Sequence, residues 1–459
     1  MKEMLLFGAG ASQEAGVPTA YSLTQHIANE FRNQPHLKRH SRVVSFVLGG
    51  LLFNRGIQGE DPLACGVNVE EFFNAIQLLA DRNTLEASPF VGSWHSMVEE
   101  LDKIPPSTPH PDRLQEIIFK NVTGKIIDSL PTSFPSFASN DIDRKLNEII
   151  RKSIEESSKG RSFGHYSSHS GLGREVSDFV RQLMKDWFFK LKNARPSSFE
   201  FEREFKLAID QQPKPGEGRV FREVADRMIA MLVKFVYVQE SARVSHLAPL
   251  KHLVARQPRL TIATLNYDNC VELFCDSAGI LCETGIDEWS NTGEFNMQGD
   301  GIFLIKLHGS IDWQSSEGQC PERPMPHKAI ARISPEEVLK ENHWPAVIFG
   351  HRNKLTAEGP FLDLLRSFQR ELAAAQRLTI VGYSFADVHI NVYLSHWLNS
   401  NRGNRLRLVE PNFKGFPNPY LRDLIQCAGS QLEVVTKKAG EALTELFGAE
   451  SLDASEQPV

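Results

Sequence analysis

RLTIATLNYDN (Arg259–Asn269) and GIFLIKLHGS (Gly301–Ser310) each run apolar and β-branched for several residues, then break into polar ones. Parallel sheets are buried on both faces, so their strands read as continuous apolar runs rather than alternations. Ligands in such sheets bind beyond the carboxyl ends of the strands. The first run delivers Asn266, Tyr267 and Asp268 to that edge, the second His308, Gly309 and Ser310. An amide, a carboxylate and an imidazole gathered there are the ingredients of a reaction centre.

The same grammar recurs outward from these two runs. Met4 to Phe7 is a short apolar strand followed by GAGAS (Gly8–Ser12) and a helical stretch. RLTIVGYSFAD (Arg377–Asp387) is a strand ending in Gly382, Tyr383 and Ser384, and RLRLVEPN (Arg405–Asn412) ends in Glu410, Pro411 and Asn412. Helical stretches such as PFLDLLRSFQRELAAAQ lie between. Strand, polar tip, helix, repeated, predicts an α/β fold: a Rossmann-like, mostly parallel sheet with helices on both faces. GAGAS is not the G-x-G-x-x-G fingerprint, because Gln13 follows Ser12 and the next glycine is Gly16. Its glycines still let the backbone approach a ligand closely, and a following helix offers N–H groups to a phosphate.

At 459 residues the chain exceeds the usual single core, so two units or a large insertion are expected. The sheet domain is placed at residues 1–100 and 246–440, interrupted by a helical insertion at 101–245. Within the insertion, serine- and glycine-rich residues 153–176 predict a flexible loop, and VFREVADRMIAMLVKFVYV a long apolar helix. Residues 441–459 are expected to be a disordered acidic tail. In NVEEFFNAIQLLADR, Asn68 is a candidate N-cap. Glu70 and Glu71 there read as first-turn residues favoured by the helix dipole rather than as acid–base groups.

The net charge of −6 gives no overall pull toward nucleic acid, and no basic run carries interleaved aromatics. Direct nucleic-acid binding is therefore not expected. No stretch reaches membrane-span length, and the first apolar run meets glycine too soon for a signal peptide, so the expected address is the cytoplasm. Six cysteines include no C-x-x-C pair, so no metal is expected. Cys270, Cys275 and Cys282 have spacings compatible with one helix and read as reduced structural thiols.

The order GAGAS with GVP, then TLNYD, LHGS, GYSFAD and a late strand ending in asparagine resembles the sirtuin (silent information regulator) superfamily. The likeness is to its divergent bacterial members and covers roughly residues 1–100 and 250–415. It implies an NAD site in which Gly8, Ala9, Gly10, Ala11 and Ser12 form the phosphate-facing loop. Asn266 and Asp268 would lie beside the nicotinamide ribose, with His308 matching the catalytic histidine. Gly382, Tyr383 and Ser384 would line the cofactor edge, and Asn412 the adenosine ribose. Sirtuin deacetylases carry a zinc ribbon of two cysteine pairs, which this chain lacks, and their TQN is TLN here; both departures argue against protein deacylation. The divergent relatives imply an NAD hydrolase of antiphage defence acting by NAD depletion. They also imply homo-oligomers and a partner protein such as a HerA-type translocase ATPase or a short Argonaute.

The residues suit that chemistry independently. Breaking the nicotinamide–ribose bond develops an oxocarbenium-like sugar. The uncharged amide of Asn266 can hold water at the anomeric carbon, and a histidine can take a proton near neutral pH. Asp268 can orient a ribose hydroxyl, or equally cap the next helix. The alternatives are a non-catalytic sensor of NAD or a related nucleotide, and an NAD-dependent deacylase. His389 and His396 read as structural; His343 and His351 carry no role.

Overall fold

The structure, a computed structural model, describes residues 2–103 and 218–449 apart from 36, 60, 62–65, 86–87, 92, 298, 319–326, 339–344, 348–359 and 414–417. Most of the expected insertion, its loop at 153–176, His343, His351, Cys65 and Cys320 lie outside the described residues.

The chain divides into two compact units, Met1–Ile76 with Val224–Val459, and Gln77–Glu223. In the second, the described residues include a buried ion pair between Arg82 and Asp102. The division falls at 77 and 223 rather than at the expected 101 and 245. Residues after 236 belong with the sheet because the turn Ser241–Leu247 packs on the helix Cys270–Ala278 and on the glycine segment after the first strand.

That first unit is built on a seven-stranded, wholly parallel sheet. Its strands are β1 (Glu3–Phe7), β2 (Arg259–Thr264), β3 (Cys282–Glu283), β4 (Gly301–Lys306), β7 (Arg377–Val381), β8 (Arg405–Val409) and β9 (Leu432–Val435). Their order is β3-β4-β2-β1-β7-β8-β9. A separate antiparallel pair joins β5 (Trp313–Gly318) to β6 (His327–Arg332). Every residue of β1 and β4 is buried, the charged Glu3 and Lys306 at their ends included. One face packs Met4, Leu6, Ile305 and Ile380 against the helices Phe361–Ala374 and Val388–Ser400. The helices Leu250–Arg256 and Cys270–Ala278 belong to the other side.

Register then places the site. Phe7 pairs with both Thr264 and Val381, Thr264 with Lys306, and Val381 with Val409. Gly8, Leu265, Leu307, Gly382 and Glu410 are therefore the first residues past one common sheet edge. The chain leaves β1 toward β2 and leaves β7 toward β8, so the crevice opens between β1 and β7, where the winding reverses.

Two expectations are corrected. Cys282 opens strand β3 instead of sharing a helix with Cys270 and Cys275, because Gly279 ends that helix in a left-handed conformation. Residues 441–447 are not tail: Ala439–Phe447 is a helix that buries Ala442, Leu443 and Phe447. Among the described residues no helix is long and apolar enough to cross a membrane.

Candidate active site

A cleft of about 770 Å³ lies beyond the common strand edge. Its wall includes Gly8, Ala9, Gly10, Asn266, Asp268, His308, Gly382, Tyr383, Ser384 and Asn412, so most of the expected site residues converge on one space. Ala11 and Ser12 do not line it. Both are buried, the Ala11 carbonyl oxygen 2.9 Å from His246 Nε2 and the Ser12 hydroxyl against Asn266.

The glycines serve each other. Gly10 N–H donates to the Gly382 carbonyl (2.9 Å), Gly8 N–H to Val381 (3.0 Å) and Ala11 N–H to Gly8 (2.9 Å). Gly382 has φ +63°, and a Cβ there would lie 2.4 Å from Gly10 Cα. The β1 and β7 turns thus touch backbone to backbone. The expectation of a row of phosphate-facing N–H groups is corrected accordingly, with Ala9 N–H the one of residues 8–11 outside these bonds. The segment Ala9–Ala15 is also a 3-10 turn. The helix N-terminus at the cleft belongs instead to Ala20–Asn33, whose Thr19, Ala20 and Tyr21 line it.

Asn266 is held rigidly. Its Nδ2 donates to the Gly8 carbonyl (2.9 Å) and to Ser12 Oγ (3.0 Å), and its N–H donates to Thr264 Oγ1 (3.1 Å). With both amide hydrogens engaged, its side chain has only the acceptor Oδ1 left for an occupant. Asp268 Oδ1 accepts from Cys270 N–H at 3.0 Å, so it caps the next helix while still lining the cleft. Burial, with Asp268 beside it, pushes the Cys270 thiol well up. Beneath, the fully buried Lys306 Nζ donates to the Asp268 carbonyl and to Glu272 Oε1, 2.6 Å each. Burial alone would lower the Lys306 pKa; Glu272, Asp312 and Asp268 more than reverse this and keep it protonated.

His308 is buried, with Nε2 3.0 Å from Asp387 Oδ2 and Nδ1 without a partner among the described residues. Tyr267 packs 6.1 Å from it, ring to ring, and donates its hydroxyl to Glu70 Oε1 (3.1 Å). Burial and the Glu70 carboxylate raise the Tyr267 pKa well above its usual value, so it stays neutral. Ser384 and Asn412 are exposed at the rim, where Asn412 N–H donates to Glu410 Oε1 (3.0 Å). His389 and His396 do not line the cleft.

Four cleft carboxylates, Glu14 among them, escape a reading by motif. Glu70 follows the N-cap Asn68, whose Oδ1 accepts its N–H (2.8 Å), and so looks like a helix-start residue alone. Asp387, the last letter of GYSFAD, likewise presents as a cap. Glu410 lies where Rossmann-type sheets carry an acidic group for ribose hydroxyls.

Residues 260–414 match the family model described as SIR2-like domain. Similar solved structures include a Sir2 homologue variant bound to ADP-ribose, at 17% identity over 54% of this chain and 81% of that one, TM-score 0.31. Another is a Sir2 homologue–NAD complex, at 17% identity over 53% and 77%, TM-score 0.31. No curated protein matches the chain.

Proposed function

We propose, from a chain whose residues 260–414 match a SIR2-like domain, that the cleft binds NAD and hydrolyses its nicotinamide–ribose bond. The observation that carries this reading is the pairing of a tethered Asn266, with only Oδ1 to offer, and a buried His308 whose Nδ1 has no partner among the described residues. Oδ1 holds a water at the anomeric carbon. As the C–N bond breaks, its electron pair leaves with neutral nicotinamide; the water oxygen bonds to the sugar, and its proton passes to His308 and on to solvent. The products are nicotinamide and ADP-ribose. Ala9 N–H and the helix N-terminus at Ala20 receive the pyrophosphate, and Glu410 with Asn412 the adenosine ribose. Asp268, through the oxygen not bonded to Cys270, orients a ribose hydroxyl.

The motif order supports a biological reading in which this is the effector of a bacterial antiphage system, depleting NAD in the cytoplasm as a homo-oligomer with a partner protein. The test is NAD consumption by purified protein, alone and with its genomic partner, beside Asn266→Ala and His308→Ala. Loss of NAD to nicotinamide and ADP-ribose, abolished in both variants, is the expected result. NAD that binds but persists under every condition makes the protein a sensor, and acyl-ADP-ribose as product makes it a deacylase.

A further inference from the structure

His308 follows β4 and Asp387 follows β7, with β2 and β1 between them in the sheet, yet their side chains meet at 3.0 Å. The turn that carries Asp387 across is tightly determined. Phe385 has φ +57°, a conformation that a bulky residue rarely adopts. It is held there by side-chain amides: Asn391 Nδ2 and Asn418 Nδ2 donate to its carbonyl at 2.8 and 2.9 Å. Its ring packs 4.7 Å from Tyr383, whose hydroxyl accepts the Asp387 N–H at 3.2 Å.

The two oxygens of Asp387 have different tasks. Oδ1 accepts from His389 N–H (3.0 Å) and caps the helix Val388–Ser400. Oδ2 faces His308 Nε2. A carboxylate only accepts, so the nitrogen it meets must carry the hydrogen. The other ring nitrogen, Nδ1, is then bare, and among the described residues this buried atom has no partner.

We propose that Asp387 is a positioning residue that locks His308 as its Nε2–H tautomer, making Nδ1 the atom that takes the proton. The second half rests on the hydrolase reading above; the first does not. The cap makes Asp387→Asn diagnostic. Helix N–H groups require an acceptor at the Oδ1 position, which leaves the new Nδ2 facing His308. An N–H donor there demands a bare Nε2 and drives the hydrogen to Nδ1, where it blocks the base. The cap, and with it the fold, is kept.

The experiment uses the full chain with ¹⁵N-labelled histidine, His308 being assigned by its absence in His308→Gln. Nitrogen shifts should report a bare Nδ1 in the wild type and a bare Nε2 in Asp387→Asn. Hydrolysis by Asp387→Asn should fall roughly ten-thousandfold in kcat, as for a wrong-tautomer triad, with KM and Tm little changed. A protonated Nδ1 in the wild type, or the same tautomer in both proteins, overturns the proposal. So does a kcat within threefold of wild type. If neither protein cleaves NAD, the hydrolase reading fails, and the nitrogen shifts alone decide the tautomer.

Discussion

The side-chain amide of Asn266 donates to the carbonyl oxygen of Gly8, a residue 258 positions away and one strand over in the sheet. Together with the bond to Ser12, this ties the end of β2 to the glycine turn after β1. Residues read as two motifs, a phosphate loop and a catalytic strand end, thereby form a single rigid piece.

Removing the Ser12 hydroxyl tests that tie. Ser12→Ala leaves one Asn266 N–H unsatisfied in a buried place, which costs about 1–3 kcal/mol of stability. It should lower the rate of NAD cleavage roughly tenfold, equivalent to about 1.4 kcal/mol of lost positioning. Single-turnover kinetics measures this, and a rate within twofold of wild type would show that Ser12 does not position the amide.

Gly382→Ala and Gly49→Ala should move stability in opposite directions. The first puts a Cβ against Gly10 backbone at a left-handed position, for a loss of about 3 kcal/mol or more. Gly49 lies in the helix Ser41–Ile57, with nothing within 4 Å of an added Cβ, so alanine gains about 0.5–1 kcal/mol. Urea midpoints at constant m separate the two.

Lys306 and Glu272 are both buried, and their stability effect is one of mutual dependence. Lys306→Met leaves the Glu272 carboxylate alone and should cost about 3–5 kcal/mol, whereas Lys306→Met with Glu272→Leu should recover most of it. A double variant no more stable than the single one would show that the charges are independent.

Asp312 sets part of the acid stability. Burial would raise its carboxyl, but Lys306 and Arg332, with a hydrogen bond from Ser310, hold it below its usual 3.8. A lowered folded-state value means that the stabilisation is complete above the unfolded value and disappears as pH falls through the folded one. Arg332→Met narrows that gap, so the acid-unfolding midpoint should move to higher pH, as followed by circular dichroism. A midpoint that stays in place or drops would remove Arg332 from the account.

Much of the sheet was legible because parallel strands are buried on both faces and announce themselves in unbroken apolar runs. Met4–Phe7 and Ile302–Ile305 behave so, and Leu260–Leu265 and Leu378–Val381 add only buried threonines. The polar breaks located the cleft, since register brings the strand ends to one edge. Cys282 lies in a two-residue edge strand too short to carry a pattern, whereas Ala439, Ala442, Leu443 and Phe447 do recur at helical spacing ahead of the polar C-terminal residues. Ala11 and Ser12 lie off the cleft wall, which a glycine-rich turn does not announce because it reads alike whichever way it faces.

The sequence alone determined which residues stand at the ends of strands, because strand periodicity and its interruption are local properties. Only the tertiary structure decided which of their atoms remain unbonded. The Gly10 N–H is taken by Gly382, both amide hydrogens of Asn266 by the β1 turn, and His308 Nε2 by Asp387, each partner remote in sequence. Hydrogen-bond capacity is used up by whichever group lies within 3 Å or so, and the fold, not the order of residues, sets that distance.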